Sequence, residues 1–419
     1  MVADRFLAIE KAEQQRMQKA LSDTSYQRQG SASPHSFRIA GIEKGVKNRY
    51  KDILPFERTR VRLGRENTDS CDYVNASHVK PKTTSTHFIA CQAPVPATFQ
   101  DFWRVVWEQD ARVIMMLTAE AEEGHLKAHP YWTSGDYGPF RVNLVHEEDQ
   151  TLHYKPDLKV QRITSMPVKQ PVANPQPPLL NRRHTSNPSA SHIKSSGYAP
   201  ATSPVSEDAP VVSMRRITLT NTSDLSHPTR ELHQVQFPSW PDTGTTARPK
   251  DILALVDLCD SLETFHHSQS QAQRPCVVHC SAGCGRTGAF CTVANVKRML
   301  LKQIAHRPQQ TQHGTQHRPP PLSSDGGMDI NDEGWIRDEE VDLIAQTVSE
   351  FRLHRMSMVQ TLRQFVLCYE AIMELFVHDD WMQENEPPGT RTGPDEPSKL
   401  SAATRAKRPG MGKRALSGV

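Results

Sequence analysis

No run of about 18 or more apolar residues occurs in this chain, so a membrane-spanning helix is not expected. Residues 1–20 read as helix but are charged throughout, unlike the apolar centre of a secretory signal. Cysteine is sparse, with eight in 419 residues, too few and too scattered for a disulfide framework. Charge of one sign is lacking too. Lys and Arg number 50 against 47 Asp and Glu, a net of +3, so no general attraction to nucleic acid is implied. Metal-ligand spacing is also missing, because Cys276, Cys280 and Cys284 recur every four residues, which matches no usual zinc pattern.

The chain does carry alternating short apolar runs and helical stripes. The pattern predicts a helix over 4–20 with Ile9, Ala12 and Met17 on its packed face. Strands are expected at 73–79, 88–91, 113–117, 140–146, 214–220, 232–237 and 276–278. A helix from Pro96 places Phe99, Phe102, Trp103, Val106 and Trp107 at spacings of three and four, a core stripe. Further helices are expected over 253–262, 286–301, 339–351 and 362–376. Strands mixed with helices in this way indicate an α/β or α+β protein with a twisted mixed sheet flanked by helices.

Two stretches interrupt the pattern. Residues 156–210 mix prolines from Pro167 to Pro210 with Ser, Asn and Gln, and residues 304–334 are rich in Gln, His and Pro. Neither has the apolar content to offset its ordering entropy, so both are expected to be disordered insertions. The expected layout is a helical extension at 1–35, a large domain at 36–378 and a polar tail at 379–419. That tail carries Arg405, Lys407, Arg408, Lys413 and Arg414, and such a basic end suits a nuclear signal or an anionic surface.

The richest stretch is 276–290. An apolar run, Cys276 to Val278, leads through His279 to Cys280; Ser281, Ala282, Gly283, Cys284 and Gly285 follow, then Arg286-Thr287 and a helix. Strand, glycine-bearing loop and helix N-terminus in that order aim backbone N–H groups at one point and make an anion cradle. The Arg286 guanidinium adds a fork suited to two phosphate oxygens. A thiol at the floor of such a cradle is favoured as thiolate, which makes Cys280 the candidate nucleophile.

This stretch resembles the phosphate-binding loop of the protein tyrosine phosphatases, tyrosine-specific and of non-receptor type. Other blocks carry the same resemblance in the family's order. Lys47-Asn48-Arg49-Tyr50-Lys51-Asp52 is similar to its substrate-recognition loop, and 72–77 and 88–94 to two conserved-order blocks. Trp240-Pro241-Asp242 is similar to its mobile acid loop, and Gln360, Thr361 and Gln364 to its glutamine loop.

The resemblance implies hydrolysis of protein phosphotyrosine through a phosphocysteine, in intracellular signalling. It implies that the amides of Ser281, Ala282, Gly283, Cys284 and Gly285 hold phosphate oxygens with Arg286. His279 would help keep the thiolate charged, and Thr287 would donate toward the sulfur. Asp242 would be the general acid and then the base, on a loop set by Trp240. Gln360 would position water, supported by Gln364. Tyr50 would stack on the substrate ring and Asp52 would accept peptide N–H bonds. Glu122 would orient Arg286, and Lys127 would approach Asp242 on loop closure. No cofactor and no metal is called for. The implied partners are phosphotyrosine proteins, with mitogen-activated kinases as the family-level expectation. A thiolate enzyme suits a reducing compartment, the cytoplasm and also the nucleus.

Three departures stand out: Thr243 where a larger side chain is usual, Ala93 in place of glycine, and Cys284 at a commonly aliphatic position. A thiol four residues from the nucleophile raises the question of a Cys280–Cys284 disulfide. A phosphotyrosine-binding scaffold would be marked by loss of Cys280, Arg286 or Asp242, and none is lost. The ring-walled Tyr50 loop argues against the shallower pocket of a dual-specificity enzyme.

Overall fold

The computed structural model describes residues 1–22, 37–64, 71–154, 209–224, 229–241, 247–268, 274–306, 333–336 and 340–376. Asp242, Thr243, nearly all of both insertions and the tail lie outside the described residues. In chain order the elements are α1 (Val2–Ser22), β1 (Arg60–Arg62), β2 (Tyr73–Val79), β3 (Phe88–Cys91), α2 (Phe99–Glu108) and β4 (Val113–Met116). Next come a small hairpin, β5 (Ala121–Glu122) with β6 (His125–Leu126), then β7 (Gly135–Tyr137), β8 (Phe140–Thr151), β9 (Val211–Asn221) and β10 (Arg230–Gln236). The last are α3 (Pro249–His267), β11 (Cys276–His279), α4 (Gly285–His306), α5 (Leu343–His354) and α6 (Leu362–Glu374).

Nine strands form one sheet in the order β1-β2-β3-β11-β4-β10-β9-β8-β7. The inner four, β3, β11, β4 and β10, run parallel, and every other pairing is antiparallel. Central β11 is buried along its whole length, which is why it reads as a continuous apolar run rather than an alternating one.

Side chains of the inner strands alternate between two cores, as the pleat requires. Cys276, Val278, Phe88, Ala90, Val113 and Met115 join one core with α3, α4, α5 and α6. Val277, Ile89, Ile114 and Met116 join the other, against Phe102, Trp103 and Val106 of α2. Helix α4 starts just past the carboxyl end of β11 and is buried nearly all round over its first half. That explains its lack of a polar face.

The structure departs from the sequence reading at several points. Ala12 is exposed, and the packed face of α1 runs through Phe6, Ile9, Glu13, Met17 and Ala20. The apolar stripe looks thin because a carboxylate sits in its middle. Buried Glu13 pairs with buried Arg352 at 2.8 Å, while Phe6 packs on Phe365 with ring centroids 5.4 Å apart. Helix α5 begins at Leu343 rather than 339, because the Asp342 carboxylate accepts the N–H groups of Ile344 and Ala345 and fixes the start. Strand β8 runs on to Thr151 past a register shift after Leu144. Its far half is charged and exposed, so the apolar alternation that marks a strand is lost there.

Candidate active site

The parallel register decides where the site forms. His279 lies opposite Cys91 and Met116, and Gln236 lies opposite Met116. The chain therefore leaves β3 toward Gln92, β4 toward Glu122, β10 toward Trp240 and β11 toward Cys280 at one edge of the sheet. Crevices outside the carboxyl ends of parallel strands are where ligands bind in such sheets.

The loop after β11 folds back on itself with its carbonyls turned outward. Ser281 C=O accepts from Ala93 N–H at 2.9 Å, and Cys284 C=O accepts from Gly288 and Val359 N–H at 2.7 and 3.2 Å. The carbonyls of Ala282 and Gly283 accept from Arg355 at 2.9 and 2.8 Å. With those oxygens occupied outside, loop amides face the thiol, and Gly283 N–H donates to Cys280 Sγ at 3.3 Å. Gly283 has φ +73°, and a Cβ there would stand 2.0 Å from the Cys91 carbonyl oxygen. Only glycine satisfies both constraints.

Arg355 is the functional residue that the sequence reading missed. It is fully buried, and Asn75 Oδ1 and Ser77 Oγ accept from it at 2.8 and 3.3 Å. Its signal in the sequence was indirect: two polar residues, Asn75 and Ser77, inside an otherwise buried strand need a polar partner.

Cys280 and Cys284 lie in the same loop and titrate in opposite directions. Burial alone would raise Cys280, but Arg286, the Thr287 hydroxyl and the amides of Thr287 and Cys284 outweigh it and hold the thiol below its ordinary range. Cys284 faces Ile53, Leu54, Phe56 and Met356, and burial pushes its thiol up to about 11. A thiol kept protonated is a poor attacker, which disfavours the Cys280–Cys284 bridge that the spacing raised.

His279 is fully buried, and burial lowers its imidazole to about 4. It is neutral at physiological pH and lends no charge to the thiolate. The Cys280 carbonyl can only accept, so Nδ1–H donates to it at 3.0 Å and Nε2 accepts from Tyr131 Oη at 2.7 Å. Its support for the thiolate is therefore positional: it fixes the backbone of the nucleophile.

Buried Arg286 donates through Nη1 to Glu122 and to the Trp240 carbonyl, the latter at 2.7 Å. Glu122 also accepts from Thr118 Oγ1 at 2.8 Å and lies 4.0 Å from Lys127 Nζ. Trp240 is buried, so the first residue of the Trp-Pro-Asp motif is tied to Arg286.

Tyr50 is half-buried, and Asp52 is exposed. Ser281 Oγ donates to the Lys127 carbonyl at 2.9 Å, so Tyr50 Oη is the donor in its 2.8 Å contact with Ser281 Oγ. Asn48 anchors the recognition loop, accepting from Tyr73 Oη at 2.6 Å and Asn75 Nδ2 at 3.0 Å. Gln92 bridges it to β3, accepting from Arg49 N–H and donating to Lys47 C=O, both at 2.8 Å.

On the opposite side, Gln360 is exposed, and its N–H donates to Gln364 Oε1 at 2.9 Å. Gln364 is buried and closes a capping box with Thr361 at the start of α6. The structure thus gathers His279, Cys280 to Thr287, Glu122, Lys127, Trp240, Tyr50 and Gln364 around one cradle, while Gln360 and Asp52 are exposed. The arrangement can bind a tetrahedral dianion over a thiolate.

The sequence pattern of the family described as Protein-tyrosine phosphatase matches residues 44–173, 192–321 and 333–374. Tyrosine-protein phosphatase non-receptor type 18 of Homo sapiens is 28% identical over 335 residues, covering 79% of this chain and 51% of its own length. Tyrosine-protein phosphatase 3 of Saccharomyces cerevisiae is 28% identical over 407 residues, covering 80% of this chain and 38% of its own. The chain thus spans about half the length, or less, of these relatives. The crystal structure of the catalytic domain of human protein tyrosine phosphatase non-receptor type 18 matches with a TM-score of 0.55 at 25% identity, over 90% of this chain and 96% of that one. Among the described residues no helix is long and apolar enough to cross a membrane. This chain belongs to the protein-tyrosine phosphatase family.

Proposed function

We propose that this chain hydrolyses phosphotyrosine on proteins through a phosphocysteine intermediate. The observation that carries the reading is the Cys280 thiol, enclosed by protein and yet held below its ordinary range by Arg286, Thr287 and loop amides. Burial without that charge would make the thiol inert.

In the first step Cys280 Sγ attacks phosphorus, and the bond from phosphorus to the tyrosine oxygen breaks. The leaving oxygen takes the electron pair and a proton from Asp242. Loop amides from Ser281 to Arg286 and the Arg286 guanidinium hold the equatorial oxygens. Glu122 keeps the guanidinium turned to them. In the second step water attacks phosphorus, Asp242 takes its proton, and the sulfur leaves as thiolate, eased by the Thr287 hydroxyl. Gln360 positions that water, with Gln364 in support.

Tyr50 provides a ring wall at the mouth of the cradle, and Asp52 a carboxylate at its rim. Together they favour a flat, deep-reaching aryl phosphate on a peptide over a short alkyl phosphate. Phosphotyrosine proteins in intracellular signalling are therefore the proposed substrates, and activation-loop phosphotyrosine of mitogen-activated kinases is the first class to try. The reading also favours a reducing compartment, the cytoplasm, with nuclear entry through the basic tail.

Purified full-length chain should hydrolyse p-nitrophenyl phosphate and phosphotyrosine peptides, with phosphoserine peptides far slower. Cys280→Ser should be inactive, and Asp242→Ala should bind phosphotyrosine peptides while turning them over slowly. Activity indistinguishable between the parent chain and Cys280→Ser would overturn the proposal.

A further inference from the structure

A second group of thiols lies at the opposite end of β11 from the nucleophile. Cys276 opens that strand, and Cys259 sits on the face of α3 turned toward it. Their sulfurs are 3.6 Å apart, and both residues are buried. Glu263, one helical turn beyond Cys259, brings a carboxylate oxygen to within 4.8 Å of both sulfurs. Residues four apart on a helix share a face, so α3 presents one sulfur and one oxygen together, and the strand supplies the second sulfur.

We propose that Cys259, Glu263 and Cys276 form a structural site for a borderline-soft divalent cation of the zinc type. Geometry favours a metal over a disulfide. Two sulfurs each about 2.3 Å from a tetrahedral zinc stand roughly 3.8 Å apart, within tenths of an ångström of the 3.6 Å spacing. A disulfide requires about 2.05 Å, a far larger movement of two packed elements.

Charge agrees with the geometry. Coordination releases the two thiol protons to solvent. The dication offsets two of the three negative charges of the thiolates and Glu263, and Arg298, shared with Asp260, donates to Glu263 at 2.6 Å. That arginine would act as an outer partner that fixes the ligating carboxylate.

A cleft of about 240 Å³ is lined by Glu263 together with Thr86, His87, His267, Arg274 and Arg298. Glu263 is the site's contact with this cleft, and neither sulfur lines it. The sequence could not show the site, because Cys259, Glu263 and Cys276 fit no ligand spacing and meet only through the packing of α3 on β11. An occupied site would clamp α3 to the strand that ends in the nucleophile.

The test uses the full-length chain carrying Cys280→Ser, so that the reactive thiol cannot bind metal, titrated with cobalt(II) as a spectroscopic stand-in for zinc. The expected result is a thiolate-to-cobalt charge-transfer band saturating at one ion per chain. The band should vanish when Cys259→Ser is added, and Glu263→Gln should weaken cobalt binding by about tenfold or more. Because Glu263 borders solvent, Glu263→Gln keeps the test decisive if loss of a buried thiol impairs folding. Absence of the band, or a band and affinity unchanged by Glu263→Gln, would overturn the site.

Discussion

The two ends of β11 hold buried thiols in opposite states. At the carboxyl end Cys280 is held below its ordinary range. At the amino end Cys276 is raised by burial, and Cys259 by its hydrogen bond to Cys276 and by burial. Only four residues separate Cys276 from Cys280, and both are enclosed. What differs is the surrounding charge. One thiol meets a guanidinium, a hydroxyl and inward amides; the others meet each other and Glu263. Burial raises the thiol at both ends, and at Cys280 alone of these three oriented donors and charge outweigh it.

The largest effect that tests this contrast is on turnover. Cys280→Ser should reduce the hydrolysis rate by roughly 10⁴-fold or more. Cys276→Ala should leave turnover near that of the parent and cost about 1 kcal/mol in denaturant unfolding. Equal rates of alkylation of Cys276 and Cys280 by iodoacetamide at neutral pH would contradict the contrast directly.

Arg286→Lys comes next. It keeps the charge but loses the fork to Glu122 and to phosphate, and kcat should fall by about 10²–10³-fold. The acid limb of the pH–rate profile should move little, because the thiolate keeps a positive partner.

Smaller and mainly structural, Arg355→Met leaves the Ala282 and Gly283 carbonyls without their buried donor. A loss of about 3 kcal/mol is expected, with slower alkylation of Cys280 as the loop amides lose their aim. An unchanged alkylation rate would show that Arg355 does not hold the cradle.

The smallest effect is on the pH dependence of stability. His279 has a folded pKa of about 4 against an ordinary 6.5. A depressed value favours the neutral form, so its contribution is fully present above pH 6.5 and is lost as pH falls toward about 4. His266 and His354 are lowered to the same level, chiefly by burial. The melting temperature should fall over that window, and His279→Gln should flatten the fall.

Much of the site was legible in the chain because its parts are contiguous. Strand, small-residue loop and helix follow one another from Cys276 to His306, so cradle, nucleophile and arginine could be read in a single stretch. Tyr50, Trp240 and Gln360 were singled out only through resemblance of order, since no local pattern joins them to Cys280. Arg355 escaped because a lone arginine near a helix end has no distinguishing neighbours in sequence, and its partners Asn75 and Ser77 lie about 280 residues earlier. The surroundings of His279 were hidden for a related reason. Burial lowers its imidazole, and the Tyr131 hydroxyl that bonds it lies 148 residues away.

Local order along the chain thus determined most element types and the strand, loop and helix around Cys280, because backbone geometry and helix polarity act over a few residues. Folding settled the rest. The parallel register brought the ends of β3, β4, β10 and β11 to one edge, Arg355 turned the loop carbonyls outward, and two thiols seventeen residues apart came into contact across α3 and β11. Titration follows from those long-range neighbours. Charge and solvent exclusion act through space, and spacing along the chain does not record them.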